Sequence, residues 1–321
     1  KQFINEGKNT HLEHLEDELW NEGSAGVENA LRFVGEVASM LSGNSNSSIN
    51  ITTKWDGAPA IFCGINPENK KFFVGTKSVF NKVKLKINES HEDIDRNHEG
   101  NVANILHACF EYLPRTNDIV QGDFIGFGGS RNYRPNTLTY SFPEKVESKI
   151  IMAPHTKYFT VSDLSDAIAM PLIDKLESGE HVKYVQPNAF IKDGEDAFKK
   201  CADLVEYAKN MATAVKFVDE KTAKKIKINI NALIREDKAI DPEAFAWAGL
   251  CDANLIELWH TVNEIKMMAL GMCADDSEFN TLVNYNQPIQ GEGYVMITRF
   301  GYCLLYTSDA ADEGLGVDLG G

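Results

Sequence analysis

Ile49-Asn50-Ile51-Thr52-Thr53-Lys54-Trp55-Asp56-Gly57-Ala58-Pro59-Ala60-Ile61-Phe62-Cys63-Gly64-Ile65 contains two short strand-like runs on either side of a turn. The runs, at 49–54 and 60–65, have the length and the Gly, Pro and Asn boundaries of strands. Lys54 therefore ends a predicted strand, and the turn begins directly after it. A lysine in this position presents its amine on a rigid loop rather than on a solvated helix face.

The strand pattern continues beyond this stretch to about Thr160. Asn66-Pro67-Glu68-Asn69 predicts the turn that joins two strands. A helix is predicted over 101–112, between further strand-like runs at 71–76, 119–127, 137–142 and 149–153. Short strands with an inserted helix predict an α+β fold with largely antiparallel sheets.

Helical spacing dominates both sides of this region. Apolar residues recur at helical intervals from 10 to 41, and a polar breaker follows at 43–48. Further helices are predicted at 164–176, 195–218, 220–235, 242–249 and 253–272, and strand character returns at 293–300. We therefore divide the chain into an N-terminal helical segment (1–48), the first part of a core (49–161), a helical insertion (162–285) and the core resumed (286–302).

The last residues do not follow these patterns. Cys303–Glu313 matches one reading frame of a common sequencing adapter, and Val317–Gly321 matches the same adapter further along. We therefore expect 303–321 to be a non-native tail and exclude it from the fold prediction. The formal net charge is −15 with this tail and −11 without it, which is acidic for a nucleic-acid-binding protein.

Composition favours a cytoplasmic protein in a reducing setting. Five cysteines precede the tail, without zinc-type spacing or close pairs. No apolar run approaches the roughly 20 residues that span a bilayer, so no membrane partner is expected. The lysines between 70 and 86 form a local basic concentration, which suits either a solvated hairpin or the steering of phosphates.

Four residues carry the candidate chemistry: Lys54, Asp56, Asp123 and Glu292. Lys54 is a nucleophile candidate if neighbouring cations or burial lower its pKa, and Asp56 is placed to orient the amine or a metal. Asp123 lies inside the apolar run 120–125, and Glu292 lies at the entrance of the last predicted strand. Unpaired carboxylates in such runs are costly, so these acids are expected to bind a metal, sugar hydroxyls or a lysine.

This ordered set resembles the covalent nucleotidyltransferase superfamily, which contains ATP-dependent DNA ligases, RNA ligases and capping enzymes. Lys54-Trp55-Asp56-Gly57 is similar to the lysine-bearing first motif, and Gly75-Thr76-Lys77-Ser78 to the short basic strand that follows it. The run 120–125 is similar to the third motif and 292–295 to the fourth. The chain also resembles, through 9–17, 54–64 and most of its length, an uncharacterised group of tailed-phage proteins.

The resemblance implies an antiparallel nucleotidyltransferase core and a role for each matched residue. Lys54 would take AMP from ATP, with Mg²⁺ (or Mn²⁺) as the cofactor and RNA or DNA ends as partners, RNA being preferred. Asp123 would contact the ribose, and Glu292 and Asp123 would hold the metal. The nucleotide site would also include Thr53, Asp56, Gly57, Thr76 and Lys77. A phage enzyme would act in the cytoplasm of the infected host.

Departures from the family pattern leave alternatives open. Pro59 stands where DNA ligases carry arginine, Asp123 is one methylene shorter than the usual glutamate, and the expected last lysine motif falls where the tail begins. The alternatives are a non-catalytic descendant that binds a nucleotide or nucleic acid, and a phage structural or host-interaction protein. His155 is either a pocket residue or a structural histidine.

Overall fold

The computed structural model describes residues 19–20, 23–41, 50–81, 84–160, 163–192, 195–283, 287–289, 291, 293–298 and 301–306. The chain divides into two compact units. The helical unit comprises 1–51, 189–274 and 293–321, and the sheet unit comprises 52–188 and 275–292. Each unit has its own hydrophobic core.

The α-helices are α1 Ser24–Leu41, α2 His91–Asn97, α3 Gly100–Tyr112, α4 Glu195–Ala214, α5 Glu220–Arg235, α6 Pro242–Trp247 and α7 Ala253–Met272. The strands are β1 Asn50–Lys54, β2 Ala60–Ile65, β3 Phe72–Gly75, β4 Ile119–Phe127, β5 Asn132–Tyr133, β6 Thr139–Ser141, β7 Ile150–Phe159, β8 Ile168–Pro171, β9 Val182–Tyr184, β10 Ala189–Ile191, β11 Cys273–Asp275, β12 Asn280–Val283, β13 Gln287–Ile289, β14 Gly293–Thr298 and β15 Gly301–Tyr306.

Aspartates fix the starts of three helices in the helical unit. Asp219, Asp241 and Asp252 each accept a hydrogen bond from a backbone N–H in the first turn of α5, α6 and α7, respectively. These bonds satisfy N–H groups that have no partner inside the helix. Helix α4 packs against both α1 and α7, and the buried core includes Ile226 and Leu255.

The sheet unit is built on a sheet in the order β3-β2-β4-β7-β8. All of these neighbours pair antiparallel, and β9 adds a parallel pairing with the start of β7. A second, smaller sheet has the order β13-β12-β6-β5. The α+β class and the largely antiparallel pairing predicted from the sequence are therefore confirmed for the described residues.

Each face of the larger sheet carries an apolar layer. Ile61, Phe124 and Ile150 pack with Leu106 of α3 on one face. On the other, Ile125 and neighbours pack with residues of the smaller sheet, and a separate cluster forms around Phe62, Phe73, Val79, Ile119 and Leu164. The sheet is thus covered by helices on one side and by two apolar clusters on the other.

The predicted helix at 164–176 is wrong. Residues Leu164–Asp166 form a single 3₁₀ turn, and β8 follows, paired with the end of β7 from Phe159↔Ile168 to Thr156↔Pro171. Cross-strand pairing prevails over the helical spacing, and Pro171, inside the predicted span, lacks the N–H that a helix interior needs. Within the predicted insertion 162–285, helices extend only from 195 to 272, and β8–β10 precede them.

Other predicted elements match closely. The helix expected at 101–112 is α3, and those expected from 195 to 272 are α4–α7. Helix α2 was not predicted, although Ser90 caps it by accepting from the Asp93 N–H.

Residues 10–18 and 42–49 lie outside the described residues. Residues 303–306 of the expected tail belong to β15, which pairs with β14. None of the described helices has the length and apolarity needed to cross a membrane.

We expect Gly122→Ala to destabilise the sheet unit. A Cβ at Gly122 would lie 2.7 Å from Pro154 Cα and 2.9 Å from Ala153 O, which are backbone atoms of β7 that cannot move aside alone. Forcing β4 and β7 apart should lower the free energy of unfolding by about 2–3 kcal/mol. Urea denaturation would measure it. Gly179→Ala, where a Cβ meets no atom within 4 Å, is the control and should change stability by less than about 1 kcal/mol. Equal stability of the two variants would contradict this packing.

Candidate functional site

The turn after Lys54 is anchored by an aromatic cluster. Lys54 is the last residue of β1, and the buried Trp55 follows it. The Trp55 ring lies 5.6 Å from that of Tyr140 and 5.5 Å from that of Phe279, measured between centroids. Large aromatic contacts of this kind restrict side-chain motion. The backbone that carries Lys54 is therefore fixed on one side by the core.

Asp56 fixes the same turn by hydrogen bonds. Its carboxylate is only 4% exposed. Oδ1 accepts from Asn136 Nδ2 at 2.8 Å, Oδ2 accepts from the Leu138 N–H, and the Asp56 N–H donates to Tyr140 Oη at 2.7 Å. Both carboxylate oxygens thus have protein donors. Asp56 therefore ties the turn to residues 136–140, while its predicted role in orienting an amine or metal stays a prediction.

Gly57 brings the turn against Asp123. A Cβ at Gly57 would lie 2.2 Å from Asp123 Cβ and 3.1 Å from its Cγ, so only glycine fits beside this side chain. Asp123 pairs with Ala60 of β2, and the Phe124 N–H donates to Pro59 O at 3.1 Å. Two residues that are distant in sequence, and that were both predicted to belong to the site, therefore meet directly.

Polar side chains accompany Asp123 on one face of the larger sheet. Register with β2 puts Asp123 beside Ala60 and Gln121 beside Phe62, so both side chains project to the same face. Gln121 Oε1 accepts from Tyr158 Oη at 2.7 Å. His155 Nε2 lies 3.9 Å from Asp123 Oδ1, beyond hydrogen-bond range but close enough for an ionic contact. This polar strip lies between the two apolar clusters of that face.

Thr76 and Lys77 lie at the same end of the sheet. Gly75 of β3 pairs with Phe62, so the residues after Gly75 continue towards the start of β2 and the turn at Gly57. Thr76 Oγ1 and Ser78 Oγ are 2.9 Å apart and share a hydrogen bond. Burial of the Lys77 amine lowers its pKa below the usual value. The structure thus gathers Asp56, Gly57, Thr76, Lys77 and Asp123 around one end of β2.

Asp275 is a neighbouring acid that the sequence did not indicate. Its Oδ2 lies 3.5 Å from Thr53 Oγ1, and its Oδ1 accepts from the backbone N–H and the hydroxyl of Ser277. The predicted site residue Thr53 is therefore held next to a carboxylate, one residue before Lys54. Helix α7 ends at Met272, and the short strand β11 ends at Asp275. The local sequence pattern therefore did not indicate that Asp275 lies next to Thr53 of β1.

Glu292, the other predicted metal ligand, lies outside the described residues. Among the residues that are described, no group of three or more His, Cys, Asp or Glu is arranged to hold a metal ion. Of the predicted pair, Asp123 is mostly buried, with 14% of its side chain exposed, and faces a histidine. A carboxylate in that position suits a ribose hydroxyl or one position of a magnesium shell that is otherwise filled by phosphates and water.

The segment after Lys77 is tied back to β3 by a buried amide. Asn88 Nδ2 donates to Val74 O at 2.9 Å, and its Oδ1 accepts from Asn97 Nδ2 at 2.9 Å. His98 Nε2 lies 3.3 Å from the same Asn88 amide nitrogen. Burial, and then the positive charge of Lys86, lower the pKa of His98 below 6.5. The neutral imidazole of His98 therefore belongs to the hydrogen-bonded group, centred on Asn88, that holds the segment after Lys77 against β3.

Comparison with known proteins gives one family match. Residues 9–253 match the model of a family described as "Family of unknown function (DUF6267)", which covers more than half of the chain. No curated protein and no solved structure matches the chain significantly.

We expect Asp56→Ala to lower the free energy of unfolding by about 3 kcal/mol, because it leaves the buried Leu138 N–H and the Asn136 amide without an acceptor. Asp56→Asn, which keeps one acceptor oxygen, should lose less. Asp118→Ala is the control, since that carboxylate is 57% exposed in its ion pair with Lys157 and should contribute less than about 1 kcal/mol. Chemical denaturation measures all three. An alanine variant at 56 as stable as the one at 118 would refute the buried tie.

We expect His98 to make the protein less stable in acid. Its folded pKa is depressed, so the unfolded chain binds the proton more readily. The contribution of His98 is therefore fully present above about pH 6.5 and is lost as the pH falls through the unfolded pKa towards the folded one. Denaturation midpoints of the wild type and His98→Gln between pH 8 and pH 5 should show a steeper acid loss in the wild type. Parallel pH profiles would contradict the assignment.

Proposed function

This chain belongs to the DUF6267 family of unknown function, and we propose that it is an ATP-dependent nucleotidyltransferase that forms a covalent lysyl-AMP at Lys54. The acceptor of the AMP in this proposal is a polynucleotide end, with RNA preferred to DNA. The observation that carries the proposal is the contact between Gly57 and Asp123, which joins the lysine-bearing turn to a polar strip on the larger sheet.

The rigidity of the turn supports a nucleophilic role for Lys54. Trp55 is held by rings, Asp56 by hydrogen bonds and Gly57 by close packing, so the three residues after Lys54 all have fixed positions. A nucleophile on a fixed backbone needs little reordering before it attacks, which lowers the barrier for transfer. A lysine in a solvated hairpin needs no such anchoring.

The proposed step uses Lys54 Nζ in its neutral form. Nζ forms a bond to the α-phosphorus of ATP as the bond between that phosphorus and the oxygen bridging to the β-phosphate breaks. Pyrophosphate leaves with the bonding electrons, and the nitrogen, which becomes positively charged as its bond to phosphorus forms, releases one proton to solvent to give a phosphoramidate. Lys77 would attract the phosphates, and its amine is partly buried, which lowers its pKa.

Asp123 would hold the ribose in this proposal. Its carboxylate is close to the turn, is mostly buried, and lies beside His155, whose ring limits where the carboxylate can rotate. Asp275 would act less directly by positioning Thr53 beside Lys54. When bound, Mg²⁺ would supply charge neutralisation on the phosphates, with Asp123 and Glu292 as its predicted protein ligands.

A second candidate is a nucleotide-binding protein that forms no adduct. Its supporting observation is that both Asp56 oxygens already accept hydrogen bonds from Asn136 and Leu138, which gives this carboxylate a structural role that needs no covalent chemistry. The polar strip and Gly57 would still accommodate a ribose. Covalent labelling separates this candidate from the first.

We expect the full chain to gain the mass of one AMP when it is incubated with ATP and Mg²⁺. The label should come from the α-phosphate of ATP and not from its γ-phosphate, because pyrophosphate leaves. Lys54→Ala and Lys54→Arg should both abolish the adduct, since neither provides a neutral amine. Lys71→Ala, at an exposed lysine of the same unit, is the matched control and should label like the wild type. Intact-mass spectrometry and the two labelled nucleotides measure these outcomes.

An adduct of equal yield in Lys54→Ala would overturn the assignment of the nucleophile. No adduct in the wild type, with saturable ATP binding that Asp123→Ala removes, would establish the second candidate instead. Circular dichroism of each variant excludes misfolding as the cause of a lost signal.

A further inference from the structure

Two histidines on neighbouring helices face each other, away from the turn at Lys54. His91 is the first residue of α2, and His107 lies in α3. Their Nδ1 atoms are 2.7 Å apart, and the rings stack with centroids 5.0 Å apart. Both rings reach solvent, with 46% and 29% of the side chains exposed. The Nδ1 atoms of the two histidines therefore lie side by side at a position that solvent can reach.

Carboxylates face the outer nitrogens of both rings. Asp95 of α2 accepts from His107 Nε2 at 2.9 Å, and Glu111 of α3 has its Oε2 at 3.8 Å from His91 Nε2. The arrangement is reciprocal, because the acid on each helix faces the histidine of the other. Carboxylates that accept the outer N–H of a histidine are the usual partners of metal-binding imidazoles, since they fix the tautomer with its lone pair directed at the metal.

The positions of hydrogen atoms follow from these partners. His107 donates Nε2–H to Asp95, so in its neutral form it has a lone pair on Nδ1. His91 must then supply the hydrogen between the two Nδ1 atoms, and if neutral it turns a bare Nε2 towards the acceptor oxygen of Glu111. With a single hydrogen shared between the two Nδ1 atoms, His91 Nε2 therefore presents a lone pair to the Glu111 carboxylate, which cannot donate to it.

We propose that His91 and His107 bind one divalent transition-metal ion of the zinc type through their Nδ1 atoms, with water completing the coordination. The metal ion replaces the shared hydrogen, which leaves as a proton to solvent. His107 Nε2–H then donates to Asp95, and His91 Nε2–H faces the Glu111 carboxylate 3.8 Å away, so neither outer nitrogen presents a lone pair to a carboxylate. Imidazole ligands favour zinc, copper and nickel over magnesium or calcium.

The geometry needs only a small adjustment. Zinc–nitrogen bonds of about 2.0–2.1 Å at a tetrahedral angle place two ligand nitrogens roughly 3.3 Å apart. The rings would therefore separate by about half an ångström, which the exposed His91 side chain can accommodate. Two imidazole nitrogens leave the remaining coordination positions of the ion to water. The ion would clamp the start of α2 to α3, and this role does not depend on the proposed transfer at Lys54.

Titration calorimetry with zinc chloride tests the site in the full chain carrying His11→Ala and His14→Ala. That background removes the other closely spaced histidine pair of the sequence. We expect uptake of one ion, with Kd raised at least about tenfold by His91→Ala or His107→Ala and roughly tenfold by Asp95→Asn. His181→Ala is the control, because its exposed ring stacks on Tyr112 outside the pair, and it should leave Kd unchanged.

Thermal unfolding gives a second readout, since an ion that binds only the folded chain raises Tm. Zinc should raise Tm in the background protein and in His181→Ala but not in His91→Gln, a variant that keeps a polar side chain at the helix start. The proposal is overturned by either of two results: no saturable uptake in the background protein, or uptake that the variants at 91 and 107 leave unchanged. An equal loss in His181→Ala would also overturn it, by showing that uptake is unspecific.

Discussion

The buried carboxylate of Asp56 is the interaction on which the arrangement of the candidate site depends. It joins the turn after β1 to residues 136–138, which lead into the smaller sheet. A charge that is 4% exposed is tolerated because both of its oxygens accept hydrogen bonds from neighbouring donors. With the turn fixed there, Trp55 is placed in its aromatic cluster and Gly57 is held against Asp123.

Local patterns in the sequence were sufficient to predict most of the elements and the α+β class. Helices α5–α7 begin at the predicted aspartate caps. Strands β2 and β3 flank the predicted turn at 66–69, and Lys70, directly after this turn, adopts a φ of +62°. The predicted helix at 164–176 was wrong because the backbone of 168–171 pairs with β7, a tertiary contact that no local pattern encodes. Helix α2 is a single polar segment of 7 residues, too short for its spacing to stand out.

The candidate site was only partly accessible to the same reasoning. The type of residue in each motif singled out Lys54 and Asp123, and the structure brings the turn after Lys54 and Asp123 together through β2 and β4. Asn136, in the loop before β6, and Asp275, at the end of β11, reach the turn only through tertiary contacts, whereas His155 was already a candidate from the sequence. Lys77, which the sequence did indicate, follows β3, but the partial burial that lowers its pKa could only be seen in the structure.

The smaller sheet has a consequence for the order in which the chain can assemble. Its strand β12 pairs with β6, so Asn280 lies opposite Ser141 although the helices α4–α7 intervene in the sequence. Contacts between residues so far apart in sequence form late, because closing a long loop is entropically unfavourable. During synthesis on the ribosome, strands β2–β9 can therefore pair early, whereas the side of Trp55 that contacts Phe279 stays uncovered until the residues after α7 have emerged. The turn beside Lys54 therefore reaches its final environment only after the residues that follow α7 have been synthesised.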